Sequence, residues 1–354
     1  MITKLELTNF SVFKHLAIDF SPKINVIIGE NGTGKTQLMK AAYALSSGGS
    51  LFKAKTDVDE KELVAFLTAK LVRIFMPLEE KLGKMHRTGA GEKADMKACF
   101  ASDKELRIGF RNNSRSVTIQ GDVNYSQYIH EPAFIPTKEV LSFMKGFNSL
   151  YEKYELSFDQ TYQDICLLLD LPEIRPEALQ AKSKWAMEEI EHICKGRFVF
   201  YGGGKVTFKT KVSEYSTNTV AEGFRKLGIL SRLLETGAIQ PGISGSLFWD
   251  EPESNLNPKL MRLLVEILLE LSRNGQQIIL ATHDYILLKW IDLLMDKGKG
   301  DYILFHALYR NSDTNEIEIQ TTDNYLALTP NAISDTYSDL TKEQVRQKLG
   351  NLGK

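Results

Sequence analysis

The polarity pattern divides the chain into short strands and amphipathic helices. Ile2 to Phe10 alternates apolar and polar residues, as a half-buried strand does, and Leu16 to Phe20 repeats the pattern. Ile24-Asn25-Val26-Ile27-Ile28 differs: it is a nearly continuous β-branched run, which suits a parallel strand buried on both faces. Leu247-Phe248-Trp249 and Ile278-Ile279-Leu280-Ala281 read the same way. Gln37 to Leu45 places Leu38, Ala41, Ala42 and Leu45 at helical spacing, and Glu60 to Leu82 also reads as helix. Asp95–Phe100, Glu105–Arg111 and Ser116–Gln120 read as three short strands with turn residues between them. Val140 to Cys194 is mostly helical, broken near Leu171-Pro172 and Arg175-Pro176. Phe198 to Lys211 reads as a hairpin around Gly202-Gly203-Gly204. Two strands, Tyr302–Arg310 and Glu316–Thr321, and a helix near Thr341–Leu349 follow.

Composition narrows the class. Of 354 residues, 43% are apolar and 25% charged, enough for a sizeable core and too apolar for wholesale disorder. A formal net charge of −1 excludes a uniformly basic nucleic-acid coat but not a local patch. The three cysteines show no CxxC spacing, which argues against a disulfide framework or zinc site and fits a reducing cytoplasm. Lys4 and Glu6 interrupt any export signal. The most apolar stretch, Met261 to Leu271, carries Arg262, Glu266 and Glu270, so no membrane association is expected.

The β-branched run leads directly into Gly29-Glu30-Asn31-Gly32-Thr33-Gly34-Lys35-Thr36, which fits the phosphate-loop pattern G-x-x-x-x-G-K-[ST]. Glycines allow positive φ and let backbone N–H groups approach phosphate closely. The helix that follows points its positive dipole end at the anion. Lys35 supplies a compact charge for the β- and γ-phosphates, and the Thr36 hydroxyl is a Mg²⁺ ligand. The expected cofactors are therefore ATP and Mg²⁺, with Gly29, Asn31, Gly32, Thr33, Gly34, Lys35 and Thr36 as contacts.

Further candidates lie in the last third of the chain. Leu247–Trp249 ends at Asp250-Glu251-Pro252-Glu253. An acid at the end of a strand beside the phosphate-loop strand is the Walker B arrangement, with Asp250 on Mg²⁺ and Glu251 polarising the attacking water. The strand Ile278–Ala281 ends at Thr282-His283-Asp284, where His283 is placed to reach a γ-phosphate. Asn257 and Pro258 suit the N-cap and N1 positions of a helix with Leu260, Leu263, Leu264, Ile267, Leu268 and Leu271 on one face, and the same segment reads as a D-loop. Thr219 and Glu222 form a T-x-x-E capping box before a helix carrying Phe224, Leu227, Leu230 and Leu234. Glu222 and Gly223 are candidate nucleotide contacts there, because a helix N-terminus attracts anions and Gly223 admits another subunit's γ-phosphate. The turn Pro136-Thr137-Lys138-Glu139 after Ala133–Ile135 is either a plain strand-to-helix turn or a Q-loop. Lys182, Lys184, Lys195, Arg197, Lys205, Lys209 and Lys211 crowd one region against Glu188, Glu189 and Glu191. They form either a solvated mixed-charge face or a nucleic-acid contact.

NFSVF…INVIIGENGTGKT, AEGFRKL, LFWDEPESNLNP and IILATHD, in that order, resemble the head of an ABC-type ATPase of the SMC/RecF-like branch, which includes the OLD-like family. The resemblance implies an α/β P-loop NTPase fold forming a single ABC-ATPase head over 1–354. Residues 1–50 and 197–354 would form the nucleotide-binding core, 51–135 a helix plus antiparallel β-subdomain, and 136–196 a helical insertion. It implies Mg²⁺-dependent ATP hydrolysis, with Glu251, Lys35 and His283 catalytic and Thr36 and Asp250 on the metal. It also implies a head-to-tail homodimer or higher homo-oligomer, with ATP between the phosphate loop of one copy and the signature helix of another. Ala221 stands where the signature usually has serine, so the N–H groups of Glu222 and Gly223, or the side chains of Arg225 or Lys226, would have to substitute. The insertion is too short and interrupted for an SMC coiled coil, and the residues after His283 leave no room for a Toprim nuclease domain. Resemblance to the standalone ATPase heads of bacterial anti-phage systems implies a separately encoded effector as partner. The alternative is a RecF/SMC-like DNA-binding ATPase of DNA repair.

Overall fold

The computed structural model describes residues 1–53, 55, 57–89, 91, 93–121, 123–154 and 156–350. In chain order the strands are β1 (Ile2–Phe10), β2 (Phe13–Asp19), β3 (Ile24–Gly29), β4 (Ala94–Phe100), β5 (Glu105–Phe110), β6 (Thr118–Gly121), β7 (Ala133–Ile135), β8 (Arg197–Phe200), β9 (Val206–Lys209), β10 (Glu214–Ser216), β11 (Leu247–Asp250), β12 (Ile278–Ala281), β13 (Ile303–Arg310) and β14 (Ile317–Thr322). The α-helices are α1 (Lys35–Ser46), α2 (Gly49–Phe52), α3 (Glu60–Phe75), α4 (Phe147–Lys153), α5 (Gln160–Leu169), α6 (Ala181–Cys194), α7 (Glu222–Glu235), α8 (Pro258–Arg273), α9 (Tyr285–Leu294) and α10 (Ala332–Gly350).

The continuous apolar runs assemble as expected of strands buried on both faces. β3, β11 and β12 join a six-stranded sheet of order β14-β13-β3-β12-β11-β7, parallel except for the edge strand β14. β12 separates β3 from β11, so the Walker B strand is one position removed from the phosphate-loop strand rather than beside it. The register keeps the carboxyl ends level. Ile27 pairs with Ala281, Ala281 with Asp250, and Trp249 with Ile135. The loops after β3, β12, β11 and β7 therefore open on one edge, where open α/β sheets bind ligands.

The alternating strands β1 and β2 go elsewhere. They pair with β4 in an antiparallel sheet of order β2-β1-β4-β5-β6, although the first fifty residues were expected in the nucleotide core. Alternation leaves one polar face per strand, which an outer antiparallel sheet tolerates and a doubly covered parallel sheet does not. β7, expected with the 51–135 unit, instead closes the six-stranded sheet. The buried face of α1, with Leu38, Ala41, Ala42 and Leu45, joins the core shared by the two sheets.

Several local expectations shift. α3 stops at Phe75, short of Leu82: Met76 turns left-handed at φ 44, and Pro77 disfavours helix in the residue before it. The T-x-x-E capping box does not form, because α7 begins at Glu222 with Ala221 as its uncapped start, and the Thr219 hydroxyl donates to the Ser216 carbonyl. The glycine hairpin is present as β8 and β9, with β10 added at its edge. Gly204 lies where a Cβ would sit 2.3 Å from the Met144 carbonyl oxygen. α10 is longer than the expected 341–349 helix, and Asn331 Oδ1 accepts from the Ser334 N–H at its start. No helix among the described residues is long and apolar enough to cross a membrane.

Candidate nucleotide site

The loop between β3 and α1 has the conformation its glycines permit. Gly32 and Gly34 have φ of 81° and 91°. A Cβ on Gly29 would lie 2.4 Å from the Leu308 carbonyl oxygen, and one on Gly34 would lie 2.6 Å from the Phe13 ring. At Gly32 a Cβ would meet nothing within 4 Å, so that part of the loop is open to a ligand, and Asn31 beside it is exposed. Thr33 instead turns inward, its hydroxyl donating to the Glu30 carbonyl at 2.8 Å. No side chain caps the first turn of α1, so its N–H groups face the loop. Lys35 Nζ donates to the carbonyls of Gly29 and Glu30 at 2.8 and 3.1 Å. Burial lowers its pKa, opposed by the carboxylates of Glu251, Asp250 and Glu253.

Across the sheet edge, Asp250 closes the other wall. Its Oδ2 accepts from Thr36 Oγ1 at 2.9 Å and from Thr137 Oγ1 at 3.2 Å. Burial raises its pKa, and the Thr36 bond opposes that shift. Among the described residues no cluster of three His, Cys, Asp or Glu forms a metal cage. Mg²⁺ does not need one: it takes one or two hard oxygen ligands from protein and the rest from phosphate and water. A buried carboxylate sharing an oxygen with two hydroxyls beside an open glycine loop fits that ion.

Glu251 has a left-handed backbone, φ 49, which costs a non-glycine residue about 1 kcal/mol. Its N–H donates to the Ala281 carbonyl at 3.0 Å. His283 Nδ1 lies 3.2 Å from Glu251 Oε1 and 3.7 Å from Glu253 Oε1. Glu253 is 5% exposed and braces the loop after β12, accepting from Thr282 Oγ1 at 2.7 Å and from the His283 N–H at 3.2 Å. Burial raises its pKa.

The start of α7 packs against the segment after Walker B in the same chain. Glu222 accepts from Asn255 Nδ2 at 2.8 Å. A Cβ on Gly223 would lie 3.0 Å from the Asn255 carbonyl oxygen, so this glycine admits the chain's own backbone. Arg225 and Lys226 are both turned inward, which removes them as substitutes for the signature hydroxyl. Arg225 Nε pairs with Glu139 Oε1 at 2.8 Å, and Lys226 Nζ donates to the Glu251 carbonyl at 3.1 Å. The Pro136–Glu139 turn is thus more than a connection, since Thr137 touches Asp250 and Glu139 holds Arg225 of α7.

The structure therefore brings Gly29 to Thr36, Asp250, Glu251 and His283 to one sheet edge. Thr137, Glu139, Lys226 and Glu253 are additions. Of these, Thr137 and Glu139 lay in the candidate Q-loop turn and Glu253 in the DEPE tetrad. Lys226 stood in the sequence only as a substitute for the signature hydroxyl; its inward bond to the Glu251 carbonyl carried no signal, because a buried lysine looks like a solvated one in sequence.

Fold and site together define a P-loop ATPase head of ABC type. The chain belongs to the AAA ATPase domain family, whose model matches residues 1–194. A second model, described as "AAA domain, putative AbiEii toxin, Type IV TA system", matches residues 206–289. The DNA replication and repair protein RecF of Bacillus subtilis (strain 168) is 44% identical over 63 residues, 18% of this chain and 16% of the relative. RecF of Ligilactobacillus salivarius (strain UCC118) is 27% identical over 190 residues, 53% of this chain and 43% of the relative. The chain thus aligns with less than half the length of either relative. An SMC head bound to the C-winged helix domain of ScpA superposes with a TM-score of 0.57 at 13% identity, covering 92% of this chain and 98% of that one. The SMC head domain from Thermotoga maritima gives 0.50 at 14% identity, covering 91% and 98%. At these identities the structures establish the fold alone.

Proposed function

We propose that this ATPase binds ATP with Mg²⁺, pairs head to tail with a second copy around the nucleotide, and passes the nucleotide state to a separately encoded effector. The observation that carries the reading is the convergence of Lys35, Thr36, Asp250, Glu251 and His283 beyond the level ends of β3, β11 and β12. Thr36 and Asp250 would hold Mg²⁺, which supplies charge neutralisation for the phosphates when bound. The loop N–H groups and Lys35 would bind and orient the phosphates. Glu251 would take a proton from the attacking water, and His283, beside the Glu251 carboxylate, would orient it. The exposed Gly32 and the start of α7 are the surfaces a second copy would meet. We place the protein in the cytoplasm, where its three free cysteines would stay reduced, and in bacterial anti-phage defence, in keeping with the toxin–antitoxin description of the family matching residues 206–289.

Glu251→Gln tests the reading. It should retain ATP, lose turnover and accumulate a dimer by light scattering. Unchanged turnover would refute the role of Glu251, and a monomer at saturating ATP would refute the pairing.

The RecF-like alternative, DNA binding in repair, is favoured by the outer face of the β8–β10 sheet. Arg197 and Lys209 are exposed register partners there, with Lys205 and Lys211 in the adjoining turns. Lys182 does not belong to this patch, because it pairs with Glu270 of α8 at 2.8 Å. Charge reversal of Lys205, Lys209 and Lys211 should abolish salt-sensitive, ATP-dependent DNA retention if this reading holds. Wild-type protein that retains no DNA at low salt would exclude it.

A further inference from the structure

Lys226 is a charged side chain that the nucleotide chemistry described above does not use. It lies on α7 and is 1% exposed, whereas lysine stems usually carry their ammonium out to water. Burial lowers its pKa, opposed by the carboxylates of Glu253, Glu222 and Glu251. Its Nζ donates to the carbonyl of Glu251 at 3.1 Å, and the Ser254 N–H donates to the same oxygen at 3.1 Å. With its own N–H on Ala281, Glu251 has both backbone polar groups engaged while it sits in the left-handed region. Residues in sparsely populated backbone conformations persist only where the surroundings over-determine them.

The position of the lysine matters as much as its bond. Lys226 is one helical turn from Glu222 and Gly223, which pack on Asn255 of the segment following Glu251. The same α7 face therefore touches the Glu251 loop twice, through Lys226 at Glu251 and through Gly223 at Asn255. A neutral side chain of similar length could fill the space of Lys226, but only a donor of that reach can hold the Glu251 carbonyl.

We infer that Lys226 is a positioning residue that makes the conformation of the hydrolytic Glu251 depend on how α7 is seated. Any ligand or partner that meets the α7 N-terminus then acts on Glu251 of the same chain, one helical turn away. This rests on the reading of Glu251 as the residue that activates water.

The experiment compares Lys226→Met with Glu251→Gln in the full chain, measuring steady-state ATPase activity and ATP affinity by calorimetry. Lys226→Met should lower kcat by about tenfold or more while KM and ATP affinity stay within about twofold, the signature of an interaction used only in turnover. Should Lys226→Met not fold, Lys226→Gln, a donor without the reach, is read in the same way. Wild-type kcat in the lysine variant together with a dead Glu251→Gln overturns the positioning role alone. Lost ATP affinity in the lysine variant also overturns it. A Glu251→Gln enzyme that still turns over overturns the underlying reading instead.

Discussion

Thr36 and Asp250 are 214 positions apart in sequence, yet the Thr36 hydroxyl donates to Asp250 Oδ2 at 2.9 Å. The bond spans two strand positions of the sheet, since β12 lies between β3, which leads into α1 and Thr36, and β11, which carries Asp250. It joins the first residues of α1 to the end of β11 and marks where a hard cation would be held.

Asp250→Asn should therefore abolish Mg²⁺-dependent turnover while leaving metal-free nucleotide binding intact, and Thr36→Val should impair it by about a hundredfold. Thr36→Ser keeps the hydroxyl and should remain active. ATPase assays against Mg²⁺ concentration check this, and an Asp250→Asn enzyme with wild-type metal dependence would remove Asp250 from the site.

Lys35 is held by two loop carbonyls and opposes three nearby carboxylates. Lys35→Ala should lose ATP affinity by at least about a hundredfold, because a charge-assisted phosphate contact is among the stronger hydrogen bonds. Titration calorimetry decides it; undiminished affinity would end the phosphate-loop assignment.

In the Arg225–Glu139 pair Glu139 is buried and Arg225 largely so, with side-chain exposures of 5% and 13%. Arg225→Met strands a buried carboxylate and should destabilise the fold by about 3 kcal/mol, whereas the Arg225→Met/Glu139→Gln double variant should recover part of the loss. Urea midpoints report both. A single variant as stable as wild type would show that the pair does not anchor α7.

His306 gives a pH prediction. Its ring nitrogens lie 2.8 Å from Thr321 Oγ1 and 3.4 Å from Asn25 Oδ1, and burial lowers its pKa to about 3. An unfolded histidine titrates near 6.5, so the unfolded chain binds the proton first on acidification. The stability His306 contributes is present above that value and is lost as pH falls toward 3, at up to about 1.4 kcal/mol per unit. His306→Gln should flatten the acid limb of a urea-midpoint profile; an unchanged limb would assign the acid sensitivity to other groups.

Much of this was legible locally. A phosphate loop, a strand-end acid pair and a strand-end histidine are contiguous, and the difference between alternating and continuous apolar strands separates the antiparallel sheet from the parallel one. The DEPE tetrad also named Glu251, although not its left-handed backbone. What failed was local as well: the Thr219–Glu222 capping box matched a pattern, but Thr219 closes a separate 3₁₀ turn and α7 begins only at Glu222, with Ala221 before it.

The sequence by itself determined where the candidate nucleotide site lies, because phosphate binding is done by consecutive backbone N–H groups and the residues beside them. Only the tertiary structure decided that β12 stands between the two Walker strands, that Gly223 admits the chain's own Asn255, and that Arg225 and Lys226 point inward to Glu139 and Glu251. Each of those depends on which surfaces meet across long separations, and a charged residue reads the same in sequence whether its partner is water or a buried carbonyl.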